Sequence, residues 1–100
     1  MKNWELPEDE HKSILIEAEG LVHGDRNVDY GHPLDDFRRI ATMWSQILGV
    51  YVDPDKVPLC MIALKISRQC NKKKRDNLVD IAGYAETAAW SIDERKRRGE

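Results

Sequence analysis

The chain is poor in aromatic residues, poor in cysteine, and has no surplus of positive charge. Seven of its 100 residues are Phe, Tyr or Trp, and three of those are Trp. Its two cysteines, Cys60 and Cys70, have no Cys or His partner at zinc-binding spacing. On a single helix they would stand about 15 Å apart, whereas a disulfide needs Cα atoms within about 7 Å. An intrachain bridge is therefore not expected, and a reducing, cytoplasmic setting is. No apolar run approaches the ~20 residues of a membrane span. Acids and Pro7 stand where a secretory signal would be apolar. The formal net charge of −2 argues against a general polyanion binder, which carries a strong basic excess. There is no internal repeat and no low-complexity segment.

What is present fits one small globular domain, residues 1–100. The composition is 41% hydrophobic and 34% charged, too apolar for a disordered chain. A domain this small has a thin stability margin, which a second copy can widen by extending the core. Residues 1–6 read as a flexible lead-in and residues 97–100 as a flexible tail.

The periodicity predicts four helices. The first runs from Pro7 or Glu8 to His23. Pro7 suits the first helical position, and Glu8, Asp9 and Glu10 complement the helix dipole. Ile14, Leu15, Ala18, Leu21 and Val22 form its apolar face, and Gly24 is the stop. The second runs from Pro33 or Leu34 to Leu48, with Phe37, Ile40, Ala41, Trp44 and Leu48 in the stripe and Gly49 as the stop. A short extended piece, residues 50–52, follows. The third starts near Asp55 as N-cap, with Pro58 in the first turn. It is apolar nearly all round over residues 57–66, the mark of a central helix. The fourth runs from Arg75 or Asp76 to about Lys96. Its small residues, Ala82, Gly83, Ala85, Ala88, Ala89 and Ser91, would let it approach helix three or a second copy of itself closely. Arg95, Lys96, Arg97 and Arg98 read as a solvated basic end. The fold class is all-α, a four-helix bundle-like single domain.

Four groups carry candidate chemistry. The loop of residues 23–33 is about twice the usual helix–helix connection and concentrates Arg26, Asp29, Tyr30 and His32 between Gly24 and Gly31. Those four are candidate ligand-binding residues; the alternative is a structural loop that caps its neighbours. Lys65 and Arg68 are i and i+3 on the helix that reads as most buried. Charges there need partners, which are either the acids of helix four and the loop or an anionic ligand. Asp76 and Asp80 are i and i+4, one face of helix four, with Tyr84 a turn further on. Two oxygen donors on adjacent turns can hold Mg²⁺; the alternative for acids in a first turn is to complement the dipole. Lys72, Lys73, Lys74 and Arg75 are either a solvated turn or a patch that draws in phosphate. Trp44 and Trp90 read as core or interface residues.

These residues resemble a known family. The blocks Gly24-Asp25-Arg26, Asp29-Tyr30-Gly31-His32-Pro33, Phe37-Arg38-Arg39-Ile40-Ala41, Trp44-Ser45 and Leu48-Gly49, then Leu64-Lys65 to Arg68 and Asp76 to Asp80-Ile81-Ala82-Gly83-Tyr84, occur in order in a family of small phage and prophage proteins. That resemblance implies phage origin and hence the host cytoplasm. More distantly, Asp-Tyr-Gly, Lys-x-x-Arg and Asp-x-x-x-Asp look like the nucleotide-modification-associated domains of phages, which are similar to MazG-like all-α nucleoside triphosphate pyrophosphohydrolases. This second likeness implies a MazG-like homodimer with Mg²⁺ on helix-borne acids. Asp76 and Asp80 would be the metal-binding and catalytic residues, and a water would attack a triphosphate. Residues 77–80 fall where the second Glu-x-x-Asp motif of that superfamily would. Its first motif, Glu-Glu-x-x-Glu, is missing, and Glu17 and Glu19, at i and i+2, do not face the same way.

The expected function is nucleotide handling: binding or hydrolysing a nucleoside triphosphate or related phosphorylated nucleotide, with Mg²⁺. Lys65 and Arg68 would meet phosphates, and Arg26, Asp29, Tyr30, His32 and Tyr84 would complete the site. The alternative is a non-enzymatic helical interaction module that acts on a host protein or sequesters a host signal nucleotide. Neither membrane nor nucleic acid is an expected partner.

Overall fold

Ser13 starts the first helix. The computed structural model describes residues 11–24 and 29–100, and in it residues 11–13 are not helical. The hydroxyl of Ser13 accepts from Leu15 N at 3.2 Å, which satisfies one of the unpaired donors of a first turn. Helix α1 then spans Ile14–His23. The expected start at Pro7 or Glu8 is thereby corrected, because Ser13 supplies the local cap. Residues 1–10 and 25–28, including Arg26, lie outside the described residues.

Helix α2 spans Pro33–Leu48 and begins and ends as its sequence dictates. His32 is extended, as a residue before proline must be, and its Nδ1 accepts from Leu34 N at 3.1 Å. Gly49 ends the helix in the left-handed region, φ 71°, and its N–H donates to Ser45 O. Residues 51–53 have no regular structure, and Val52 N donates to Ser45 Oγ at 2.8 Å. Helix α3 spans Lys56–Asn71. Asp55 is at its N-cap position, but its carboxylate makes no cap bond and instead lies 3.2 Å from Arg95. Helix α4 spans Arg75–Arg97. Residues 29 and 30 are helical as well, and no strand occurs among the described residues.

The central helix is α4, which packs against the three other helices described, while α1 packs among these against α4 alone. This corrects the expectation that helix three is central. Only Val57 and Pro58 of α3 are buried, and Leu59 and Ile66 are 54% and 50% exposed. The small residues of α4 explain the arrangement. At Gly83 a β-carbon would stand 3.7 Å from Val22 Cγ2, so a compact residue lets α1 come close. Phe37, Ala41 and Val57 form the core where α2 meets α3, with Ile40, Trp44 and Val52 packed on it.

The basic end of α4 is held by acids, which differs from the solvated end read from its charges. Arg95 pairs with Asp53 and Asp55. Arg98 pairs with Asp35 at 2.7 Å and with Glu94 at 2.9 Å. Arg38 of α2 pairs with Glu100. No helix among the described residues is long and apolar enough to cross a membrane.

Candidate functional site

Because α1 leans, among the described helices, on α4 alone, a space opens between α1 and the other two. It is a cavity of about 390 Å³. Ala18, Leu21 and Val22 of α1 form one wall, Phe37 and Ile40 of α2 another, and Val57 and Met61 of α3 a third. The apolar stripes that make the bundle therefore also make the cavity, and few polar groups interrupt them. Such a lining suits a small organic ligand oriented by a handful of polar contacts.

The central polar contact is an ion pair. Lys65 Nζ lies 2.8 Å from Asp80 Oδ2, and both residues line the cavity. Tyr84 follows Asp80 by one turn, and Thr87 by two, on the same wall. The hydroxyl of Thr87 donates to Tyr84 O at 3.0 Å. From the polar loop come Tyr30 and Gly31, the latter at φ 75°. Arg39 ties this loop to α2, donating to Tyr30 O at 2.8 Å and lying 3.4 Å from Asp36, itself on the cavity wall. Lys65 is thus matched by Asp80 on the wall, and Asp36 by Arg39 from outside it.

Both ends of the polar loop rest on one indole. The rings of His23 and His32 each lie 4.6 Å from the Trp90 ring. His23 Nε2 is also 3.6 Å from Glu86. His32 Nδ1 accepts the Leu34 amide, which leaves Nε2 as the other polar atom of the ring. That atom is buried without a hydrogen-bond partner among the described residues.

The strongest electrostatic perturbation lies away from the cavity. Hydrogen bonds from Arg97 and then Arg98 lower the Glu94 carboxyl from 4.5 to about 2. The hydrogen bond from Arg98 likewise holds Asp35 below its ordinary value.

Of the residues singled out by sequence, the structure brings together Lys65, Asp80, Tyr30 and Tyr84. Asp29 is exposed and off the cavity wall, and His32 serves as a cap and as a packing partner of Trp90. Arg68 and Asp76 are exposed and also off the wall. Among the described residues no cluster of three or more His, Cys, Asp or Glu is placed to hold a metal. Thr87 and Asp36 were missed. The spacing of Asp80, Gly83, Tyr84 and Thr87 is i, i+3, i+4, i+7 and could have disclosed Thr87; nothing local marks Asp36.

Comparison with known proteins gives a consistent family match. The profile of a domain of unknown function (DUF6378) matches residues 13–91. The "Gene 55 protein" of Mycobacterium phage D29 is 43% identical over 75 residues, which is 74% of this chain and 50% of that protein. The "Gene 55 protein" of Mycobacterium phage L5 is 42% identical over 92 residues, 87% of this chain and 59% of that protein. This chain therefore matches half to three fifths of the length of these relatives. No solved structure matches.

Proposed function

From the premise that the chain belongs to the DUF6378 family, which it shares with small phage proteins, we propose that it is a nucleotide-handling domain whose cavity binds a phosphorylated nucleotide together with Mg²⁺. The observation that carries this is the Lys65–Asp80 pair, 2.8 Å apart on a cavity wall shared with Tyr30 and Tyr84. The apolar walls and tyrosine rings offer a face to a base. The ion pair offers a charge exchange. A phosphate would offer negative charge to Lys65, and Mg²⁺ held by Asp80 would supply positive charge there, so the two side chains would part without either being left bare. Mg²⁺ keeps several waters and needs only one or two carboxylates, so Asp80 on the wall would anchor it, with Asp76, exposed one turn earlier and off the wall, as an outer partner. Arg68, one turn from Lys65, would meet the outer phosphates, and Asp29 and His32 would position Tyr30.

Carried to catalysis, the same site would hydrolyse a nucleoside triphosphate to monophosphate and pyrophosphate, with the metal activating a water. The all-helical fold supports the MazG-like form of this proposal, and the host cytoplasm is the setting it requires. The test is Mg²⁺-dependent pyrophosphate release from a panel of deoxynucleoside triphosphates, abolished in Asp80→Ala. Neither binding nor turnover with any nucleotide ends the proposal.

A second observation favours an interaction module. Leu15, Ile16, Ile47 and Tyr51 are 68–80% exposed, apolar side chains that a partner surface would cover. The outward Leu59 and Ile66 of α3, and a radius of gyration of 16.0 Å against about 13 Å for a compact domain of this length, favour a homodimer. Light scattering at micromolar concentration decides that point, a monomer counting against it. Acting on a host protein predicts that binding of that protein survives Lys65→Met with Asp80→Leu.

A further inference from the structure

The α3–α4 turn carries cations that nothing in the described protein neutralises. Residues 67–75 hold Arg68, Lys72, Lys73, Lys74 and Arg75 and no acid. Arg75 is engaged with Glu17 at 3.0 Å. Arg68 and the three lysines are exposed and form no ion pair among the described residues. Asp76, the next acid along the chain, is exposed and pairs with none of them. The lysines also precede the N-terminus of α4, where positive charge opposes the helix dipole. Mutual repulsion and the dipole would both be relieved if this turn were loose.

It is instead held firmly. Gln69 Oε1 accepts from Lys74 N at 2.9 Å and from Asn77 Nδ2 at 3.1 Å. Asn77 is only 7% exposed, and its Nδ2 also reaches Lys72 O at 3.5 Å. Lys72 N donates to Arg68 O at 3.0 Å, and Asn77 N to Lys74 O at 3.2 Å. One buried amide thus joins both ends of the turn and presents three successive lysines outward. An external polyanion offsets the electrostatic cost that no group among the described residues does.

We propose that this turn docks the phosphate backbone of a nucleic acid, without reading its sequence. Each lysine is a compact point charge on a flexible stem, which can meet a phosphate without a fixed geometry. A duplex presents about one charge per 1.7 Å of axis, so neighbouring lysines each find a phosphate. None of the three lysines lines the cavity, so a free nucleotide bound there does not meet them. No aromatic side chain lies in residues 67–77, so no group on the turn stacks on bases. Backbone contact alone positions a protein on a duplex without specificity. The chain's net charge of −2 makes this a local effect that salt should suppress readily.

The experiment is fluorescence anisotropy of a labelled DNA duplex titrated with the full chain at several salt concentrations. Three phosphate contacts, one for each lysine, predict that log K falls with log salt at a slope of about −2.7. Lys72→Gln, Lys73→Gln and Lys74→Gln together should weaken binding at least tenfold and flatten the slope by about 2.7. These side chains are exposed, so circular dichroism should show an unchanged helical content. Absence of salt-sensitive binding, or a triple variant that binds equally well, overturns the proposal. So does displacement of the duplex by polyglutamate, or equal binding to phosphatidylserine vesicles, which would assign the turn to an acidic protein or a lipid surface. None of these results touches the cavity, whose nucleotide binding the triple variant should retain.

Discussion

Lys65 Nζ reaches across from α3 to stand 2.8 Å from Asp80 Oδ2 on α4, and it does so with only 17% of its side chain exposed. An ammonium so placed depends on its carboxylate. Asp80→Ala removes the partner and leaves the charge half-desolvated, at a cost of roughly 1–3 kcal/mol. Lys65→Met with Asp80→Leu removes both charges and should recover that loss, because apolar groups of similar size replace buried pairs at little cost. Urea midpoints at constant m-value measure both effects. Nucleotide binding should vanish in both variants, so stability and binding separate in the double one.

Acid should destabilise the α2–α4 corner in a defined window. Glu94 has its carboxyl lowered to about 2 in the folded chain, against 4.5 as its ordinary value. A depressed folded value means that the unfolded chain takes up the proton first. The stabilisation is complete above the ordinary value and is lost as pH falls from there toward about 2. Asp35, lowered by the same Arg98, acts in the same direction. Thermal melts should show Glu94→Gln less stable than the native chain near neutrality and less sensitive to acid. Parallel acid dependence in the two proteins would refute this assignment.

The elements with local punctuation were legible in the sequence, and the relations between distant residues were not. Pro33 and Gly49 mark α2 at both ends, because one tolerates a missing donor and the other a left-handed backbone. Lys65 and Asp80 stood out as charges on apolar helices, and the cavity wall is where they meet. Asp76 shares a helix face with Asp80, but the i, i+4 spacing does not say how far along α4 the cavity extends. Helix three read as central because periodicity reports apolarity and not what covers it. The Arg98–Asp35 pair joins residues 63 apart in sequence, which no local pattern encodes.

Gly49 gives a prediction free of packing effects. Its φ is 71°, and a β-carbon there would meet nothing within 4 Å. Gly49→Ala therefore costs only the left-handed backbone, about 1–2 kcal/mol. Each kcal/mol should lower the melting temperature by roughly 4–8 °C in a domain of this size. An unchanged melting temperature would mean that α2 ends elsewhere in solution.

Trp90 should control the loop side of the cavity without touching a ligand. It is absent from the cavity wall, yet His23 and His32 both pack on it at 4.6 Å. These histidines bracket the segment that brings Tyr30 and Gly31 to the cavity. Each ring pair contributes about 0.5–1.5 kcal/mol beyond burial, so Trp90→Leu loses two such contacts. His32 keeps its bond to Leu34 N, which preserves the start of α2. The loss should therefore fall on the loop, and amide hydrogen exchange of residues 29–32 should accelerate more than that of the α3–α4 interface. Nucleotide affinity should drop with it, since Tyr30 would no longer be held against the opening. Uniform acceleration throughout the chain would reduce Trp90 to an ordinary packing residue and release the loop from its control.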